Sequence, residues 1–281
     1  MSTRGAEPSF VDRLEQTLLP TLERWFRLEV GGAVDSVPAW ETDPAIFVMN
    51  HTAIVGLEIY LLYAALRRLR PGAPRPRTTV WPTFLKVPLL GDFYRASGCF
   101  AMSVEAATRA LREGHSLVIL PEGPDATDVR HELGPFHAGF LRVVRELAAE
   151  RSVPVVPFGW AGVDEANPWW VTTNPTLVRL LMKPAVPHFD FALLPRLPLL
   201  RPSKVVLTAG QPLRWSAGEL ADEAALRAQV QRVRDEVKSL VATSKRLREE
   251  RIAASPVERA LHAATGARRV AWRRLSSIEP E

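Results

Sequence analysis

Asn50 and His51 stand at the end of an apolar run, Ala45 to Met49, and an apolar helical run opens behind Glu58. An imidazole at a strand end titrates near neutral pH. A carboxylate seven residues on can orient it, so the pair has the local chemistry of a general base and its partner. A lone histidine beside apolar residues equally fits a satisfied core or capping role, and a pattern this short leaves both readings open. A second polar corner has the same construction: the apolar run Ser116 to Leu120 delivers Pro121, Glu122 and Gly123.

The elements that must position these corners follow from hydrophobic periodicity. Ser9 to Val30 spaces Phe10, Val11, Leu14, Leu18, Leu22, Trp25 and Phe26 as an amphipathic helix, which Gly31 and Gly32 end. It suits packing on a core or lying in a membrane interface, with Trp25 and Phe26 as anchors. Strands are expected at Ala45 to Met49, Thr79 to Leu85, Ser116 to Leu120, Val153 to Phe158 and Val205 to Leu207. Helices are expected behind Glu58, within Lys86 to Gly98, and over Val104 to Glu113, Phe136 to Glu150 and Glu219 to Arg251. This alternation predicts one α/β domain with a mostly parallel central sheet flanked by helices, preceded by the N-terminal amphipathic helix and followed by the long C-terminal helix. Residues 1–39 are the expected N-terminal helix and linker, 40–215 the α/β domain, and 216–281 the C-terminal helix and a basic tail, ARRVAWRR. In such sheets ligands bind beyond the carboxyl ends of strands, where both polar corners fall.

Composition narrows the partners. The 281 residues are 47% hydrophobic, enough for a sizeable core. The one cysteine, Cys99, excludes an intramolecular disulfide and lies in a small, apolar context that suits an inert thiol. A net charge of +5 suits an anionic partner, such as phospholipid headgroups, coenzyme A or an acidic carrier protein. Nucleic acid is not expected, because no Cys/His finger, RNP-like strand or basic zipper is present. A zinc centre is not expected either, since the six histidines are scattered and His131 and His137 lack a ligand set. The first residues lack a leader's apolar core, and the apolar stretches 45–66 and 177–200 are interrupted by polar residues and by prolines, so neither reads as a membrane span. The proline-rich basic stretch Arg70 to Arg77 reads as a solvated connector or a headgroup contact. Asn167 to Pro202, with Trp169, Trp170, Phe189 and Phe191, suits core packing, an acyl-chain wall or a membrane contact.

Four blocks in order, NHTAIVGLE at 50–58, LLGDFYRASGCF at 89–100, SLVILPEGP at 116–124 and VPVVPF at 153–158, resemble the glycerolipid acyltransferase superfamily typified by bacterial lysophosphatidic acid acyltransferases. Phe136 and Gly139 fall where that pattern has its Phe-x-x-Gly helix, and the resemblance spans about 40–215. Two departures stand out. The family's His-x4-Asp puts Gly56 where the acid belongs, and Glu58 takes the acid's role if this branch, like those similar to diacylglycerol-type acyltransferases, is longer here. The two phosphate-binding arginines are replaced by Ser103 and Asp125, and a carboxylate at Asp125 repels phosphate, which points to a neutral hydroxyl acceptor unless Arg95, Arg109 or Arg130 compensates.

The resemblance implies an O-acyltransferase that moves a fatty acyl group from acyl-CoA or acyl carrier protein to a lipid hydroxyl. His51 is then the general base and Glu58 its partner. It implies substrate binding by Asn50, Lys86, Arg95, Glu122, Gly123 and Pro124, no metal and no cofactor beyond the acyl donor, and a cytoplasmic protein peripheral on the inner membrane face. Backbone N–H groups or Lys86 are the candidate oxyanion donors. Two other readings remain: a catalytically silent lipid-binding protein on the same fold, motivated by Gly56 and Asp125, and an acyl thioester hydrolase. A serine hydrolase is poorly supported, because no Gly-x-Ser-x-Gly elbow occurs.

Overall fold

The computed structural model of the protein describes residues 10–51, 56–82, 84–86, 89–123, 133–166, 169–172, 174–182, 192–195 and 200–266. In order along the sequence the elements are α1 (Phe10–Trp25), β1 (Glu29–Gly32), β2 (Ile46–Met49), α2 (Leu57–Leu69), β3 (Arg77–Val80), α3 (Leu90–Ala96), β4 (Phe100–Ala101), α4 (Val104–Arg112) and β5 (Leu117–Ile119). There follow α5 (Gly139–Leu147), β6 (Val155–Ala161), α6 (Val163–Ala166), β7 (Trp169–Thr172), α7 (Pro175–Leu177), β8 (Ala192–Pro195), β9 (Val206–Ala209), α8 (Glu223–Ala254) and α9 (Pro256–Gly266).

Seven strands form one sheet in the order β1-β9-β6-β2-β5-β3-β4, and β7 and β8 form a separate antiparallel pair. Among the described strands of the large sheet only β6 and β9 are antiparallel neighbours; the other pairs are parallel. The central strands are buried on both faces, which explains their uninterrupted apolar runs. The period of two sends Phe47 and Met49 of β2 into one core with α1 and α2, and Ile46 and Val48 into the other with α4, α5 and α8. The result is a three-layer α/β/α arrangement.

Several expectations change. The helix at 9–30 ends at Trp25, and residues 29–32 form β1, because the backbone pairs in register with β9 from Glu29↔Val206 to Gly32↔Ala209. Leu19, Leu22 and Phe26 are buried against the core, so α1 is not a free interfacial helix, although Trp25 stays exposed. The strand expected at 79–85 is instead β3, and Phe84–Lys86 is a 3-10 turn in place of its second half. The last strand runs to Ala209, and the C-terminal helix starts at Glu223, where the Asp222 side chain accepts from the N–H groups of Ala224 and Ala225. Arginines of the 70–77 stretch are paired within the fold: Arg70 with Glu41 and Arg75 with Glu15. Trp169 and Trp170 fall on β7, while Phe189, Phe191 and the tail at 267–274 lie outside the described residues.

The long helix α8 lies across β6 and β9. It is held by a buried ion pair between Arg248 and Glu165 and by a 2.6 Å bond from Arg248 Nε to the Lys204 carbonyl. Gly159 permits this closeness: a Cβ there would stand 2.4 Å from both the carbonyl carbon of Leu240 and the amide nitrogen of Val241. Gly159→Ala is therefore expected to lower stability by about 1–3 kcal/mol through overpacking against backbone that cannot step aside. A denaturant midpoint equal to the wild-type value would refute this account of the contact.

Candidate functional site

The site is assembled where β2 and β5 end side by side. These strands pair Ile46↔Leu117 and Val48↔Ile119, and continuing that register sets His51 level with Glu122. The two polar corners of the sequence are therefore neighbours in space, at the carboxyl edge of the sheet.

Asn50 continues the β2–β6 ladder after the backbone has turned away. The last backbone pair is Met49↔Phe158, and the Asn50 side-chain oxygen accepts the next available N–H, that of Trp160, at 2.8 Å. An amide is suited to this task because it supplies a neutral acceptor at a buried place. The geometry thus gives Asn50 a positioning contact: it fixes the turn on which His51 rides.

His51 Nδ1 is hydrogen-bonded to Glu58 Oε1. The carboxylate accepts, so Nδ1 carries the hydrogen and Nε2 is the nitrogen left basic. Glu58 is fully buried while the His51 side chain keeps 20% of its surface, so the pair opens to solvent on the imidazole side only. Gly56, placed where the family pattern has its acid, instead takes the left-handed conformation at φ +68° and forms the N-cap of α2. Glu58, in the first helical turn, meets the imidazole. The helix dipole there favours a carboxylate. Burial pulls the His51 pKa down, but the Glu58 charge, its hydrogen bond and the Glu122 charge together outweigh it and hold the imidazole above its ordinary 6.5.

Glu122 is buried and uses both oxygens on backbone donors: Oε1 accepts from His51 N–H at 2.7 Å and Oε2 from Gly134 N–H at 2.8 Å. Burial raises its pKa above the usual carboxylate value, against the two backbone hydrogen bonds that lower it. Gly123 has φ +58°, and a Cβ there would meet the His137 ring at 3.1 Å. His137 is itself fixed by its N–H on the Pro121 carbonyl at 2.8 Å. Arg234 of α8 donates from Nε and Nη2 to the carbonyls of Gly134 and Leu133, each at 2.8 Å, and so aims the Gly134 N–H at Glu122.

Other residues named from the sequence lie apart. Lys86 is exposed on the 3-10 turn. Arg95 is exposed and committed locally, donating to the Leu85 carbonyl and to Asp92, each at 2.6 Å. Ser103, in the place of a family arginine, is the N-cap of α4 and accepts from Ala106 N–H at 3.1 Å. Arg109 is exposed on α4. Burial pushes the Cys99 thiol up to about 11, which suits an inert group. Pro124, Asp125, Arg130 and His131 lie outside the described residues. Gly134, Arg234 and Trp160 escaped sequence reading because two of them act through backbone N–H groups that carry no sequence signature, and Arg234 sits a hundred residues from its target.

Residues 29–160 match the Acyltransferase family model. An uncharacterized protein of Mycobacterium leprae (strain TN) is 26% identical over 217 residues, covering 75% of this chain and 55% of the relative. An uncharacterized protein of Mycobacterium tuberculosis (strain ATCC 25618 / H37Rv) is 27% identical over 217 residues, covering 75% and 56%. The chain spans about half the length of the curated relatives it matches. The crystal structure of a 1-acyl-sn-glycerophosphate (LPA) acyltransferase, PlsC, from Thermotoga maritima is similar with TM-score 0.47 and 18% identity, over 87% of this chain and 84% of that one.

Glu122→Gln replaces a double acceptor by one acceptor and one donor, so a buried backbone N–H then faces an NH2 group. The expected destabilisation is about 1–3 kcal/mol. The raised carboxyl pKa also means that the folded protein holds this proton longer than the unfolded polypeptide. Glu122's contribution to stability is thus greatest below its ordinary 4.5 and declines as pH rises through the folded value. The difference between the wild-type and Gln stability curves should show that decline; a difference flat across the acid range would count against it.

Proposed function

We propose, from the match of residues 29–160 to the Acyltransferase family model, that the protein transfers a fatty acyl group from a thioester to the hydroxyl of a lipid. The observation that carries this reading is the His51–Glu58 pair at the mouth of the sheet edge, with its basic nitrogen turned outward. Acyl-CoA or acyl carrier protein is the donor. Nε2 of His51 takes the acceptor's proton as its oxygen attacks the thioester carbonyl; the tetrahedral intermediate then collapses and releases the thiol. Glu58 holds the Nδ1–H tautomer and stabilises the imidazolium formed in that step. Attack is direct, so no acyl-enzyme intermediate forms.

Glu122 serves the reaction by holding the backbone of His51, and Gly123 leaves room for the His137 ring beside it. A neutral acceptor fits the replacement of the family's phosphate-binding arginine by Ser103, whose hydroxyl is spent on capping α4. The silent lipid-binding reading rests on Gly56 and Asp125; the Glu58 contact with His51 speaks against the first ground, and Asp125 lies outside the described residues.

The test is transfer from a labelled long-chain acyl-CoA to lysophosphatidic acid, monoacylglycerol, diacylglycerol and a fatty alcohol. His51→Ala should lower transfer by about 10²–10⁴-fold, the usual worth of a positioned general base. Because the base must be neutral and Glu58 and Glu122 hold its pKa up, kcat/KM should rise with pH along an acid limb centred above 6.5. Glu58→Gln should move that limb to lower pH while reducing the plateau. Transfer that survives His51→Ala, or an acid limb unmoved by Glu58→Gln, would overturn the assignment; free fatty acid formed regardless of acceptor would replace it with a hydrolase.

A further inference from the structure

One side chain of α8 reaches the site from outside the family match. The match covers residues 29–160, and Arg234 lies well beyond it. Its guanidinium nevertheless donates from Nε to the Gly134 carbonyl and from Nη2 to the Leu133 carbonyl, each at 2.8 Å. Two donors fixed in one plane and set on two successive carbonyls form a grip that arginine makes and lysine, a point charge, does not.

The bond to Leu133 matters most. Its carbonyl and the Gly134 N–H belong to one peptide group, and in a trans peptide they point opposite ways. Arg234 therefore holds the oxygen end of that group while the N–H end donates to Glu122 Oε2 at 2.8 Å. A cation at the carbonyl polarises the peptide and makes its N–H a stronger donor to the carboxylate. Glu122 is buried, and its other oxygen accepts from the N–H of His51 at 2.7 Å. A continuous line thus runs from the guanidinium, through one peptide and one carboxylate, to the backbone that carries the imidazole.

α8 can set this position because its own register is pinned on both sides of residue 234. Toward its start Glu223 pairs with Arg142 and Arg145 of α5 at 3.0 and 3.2 Å, and further on Ser244 Oγ donates to the Gly159 carbonyl at 2.8 Å. Val230, Val233 and Val237 are buried between these anchors. The neighbouring Asp235 does not draw the guanidinium away: its Oδ1 is 3.8 Å from Nη1, beyond hydrogen-bond range, and its side chain is 60% exposed.

We propose that Arg234 is a positioning residue for acyl transfer, acting from α8 through the Leu133–Gly134 peptide and Glu122 on the backbone of His51. The role rests on the acyl-transfer reading and extends the working unit beyond the family-matched segment to the C-terminal helix.

The experiment compares Arg234→Gln, Arg234→Lys and Arg112→Gln in the full-length protein, the last a surface arginine paired with Glu150. With labelled long-chain acyl-CoA and the most active acceptor of the panel above, Arg234→Gln should lower kcat about tenfold, less than loss of the base itself, with KM for acyl-CoA unchanged. Arg234→Lys, which keeps the charge but not the fork, should fall between Gln and wild type. In a Glu122→Gln background Arg234→Gln should cost less than about twofold, because the carboxylate it acts on is gone. Amide-proton NMR reads the same line without turnover. Arg234→Gln should move the His51 and Gly134 N–H resonances upfield as their bonds to Glu122 weaken, and leave in place that of Trp160, which is bonded to Asn50. Arg112→Gln should change neither kcat nor these resonances. Amides that stay put, an unchanged kcat, a loss confined to KM, or an undiminished loss in the Glu122→Gln background would overturn the proposal while leaving the acyl-transfer reading intact. No transfer by the wild type would overturn that reading first and this role with it, whatever the amides show.

Discussion

The buried carboxylate of Glu122 is the constraint on which the site depends. A carboxylate taken out of water must find donors, and Glu122 finds two backbone N–H groups, one at the end of β2 and one in the segment before α5. Each oxygen fixes a different piece of the backbone. Satisfying one charge therefore sets the level of His51, the path of residues 133–134 and, through Arg234, the lie of α8 over the sheet edge. No single one of these hydrogen bonds is strong in net terms, but leaving any of the three groups unpaired in the interior is expensive. The arrangement is held by the penalty for its alternatives.

Glu58 works differently. It is as buried as Glu122, yet its contact is with a side chain that reaches solvent. The two carboxylates thus divide the tasks around one histidine: Glu122 holds the backbone and Glu58 the ring. The raised imidazole pKa follows from having both nearby, with proximity to charge outweighing burial.

Much of this was legible in the sequence because it depends on local pattern. The alternation of apolar runs with helical stretches specified a parallel sheet, and the polar residues that end two of those runs, His51 and Glu122, do meet at one edge. The pairing of His51 with Glu58 rested on spacing and on a family pattern taken to be longer here, and Gly56 at positive φ caps the helix that carries Glu58. What could not be read was pairing without side-chain identity. Glu29–Gly32 looked like a helix end because its two glycines suit a C-cap, yet it is a strand whose partner, β9, is remote in sequence. Asn50 was expected as a substrate ligand from its place beside His51; that its oxygen also accepts from the Trp160 N–H is visible only once β6 is in place. Arg95 looked available for an anion but lies beside its own helix's Asp92 and the Leu85 carbonyl.

The segment between Ala161 and Val206 departs from the sheet and returns to it at paired residues. Its two ends are therefore fixed by the β6–β9 hydrogen bonds whatever lies between, and lengthening such an excursion adds only about 0.6 kcal/mol per doubling in closure entropy. The ends of this segment also enter the core, with Val163, Glu165 and Ala166 at one and Ser203, Lys204 and Val205 at the other, and α8 is anchored on them through Arg248. Descendants of this fold can thus add length between those anchors at little entropic cost, while the sheet, the histidine and its carboxylates stay unchanged.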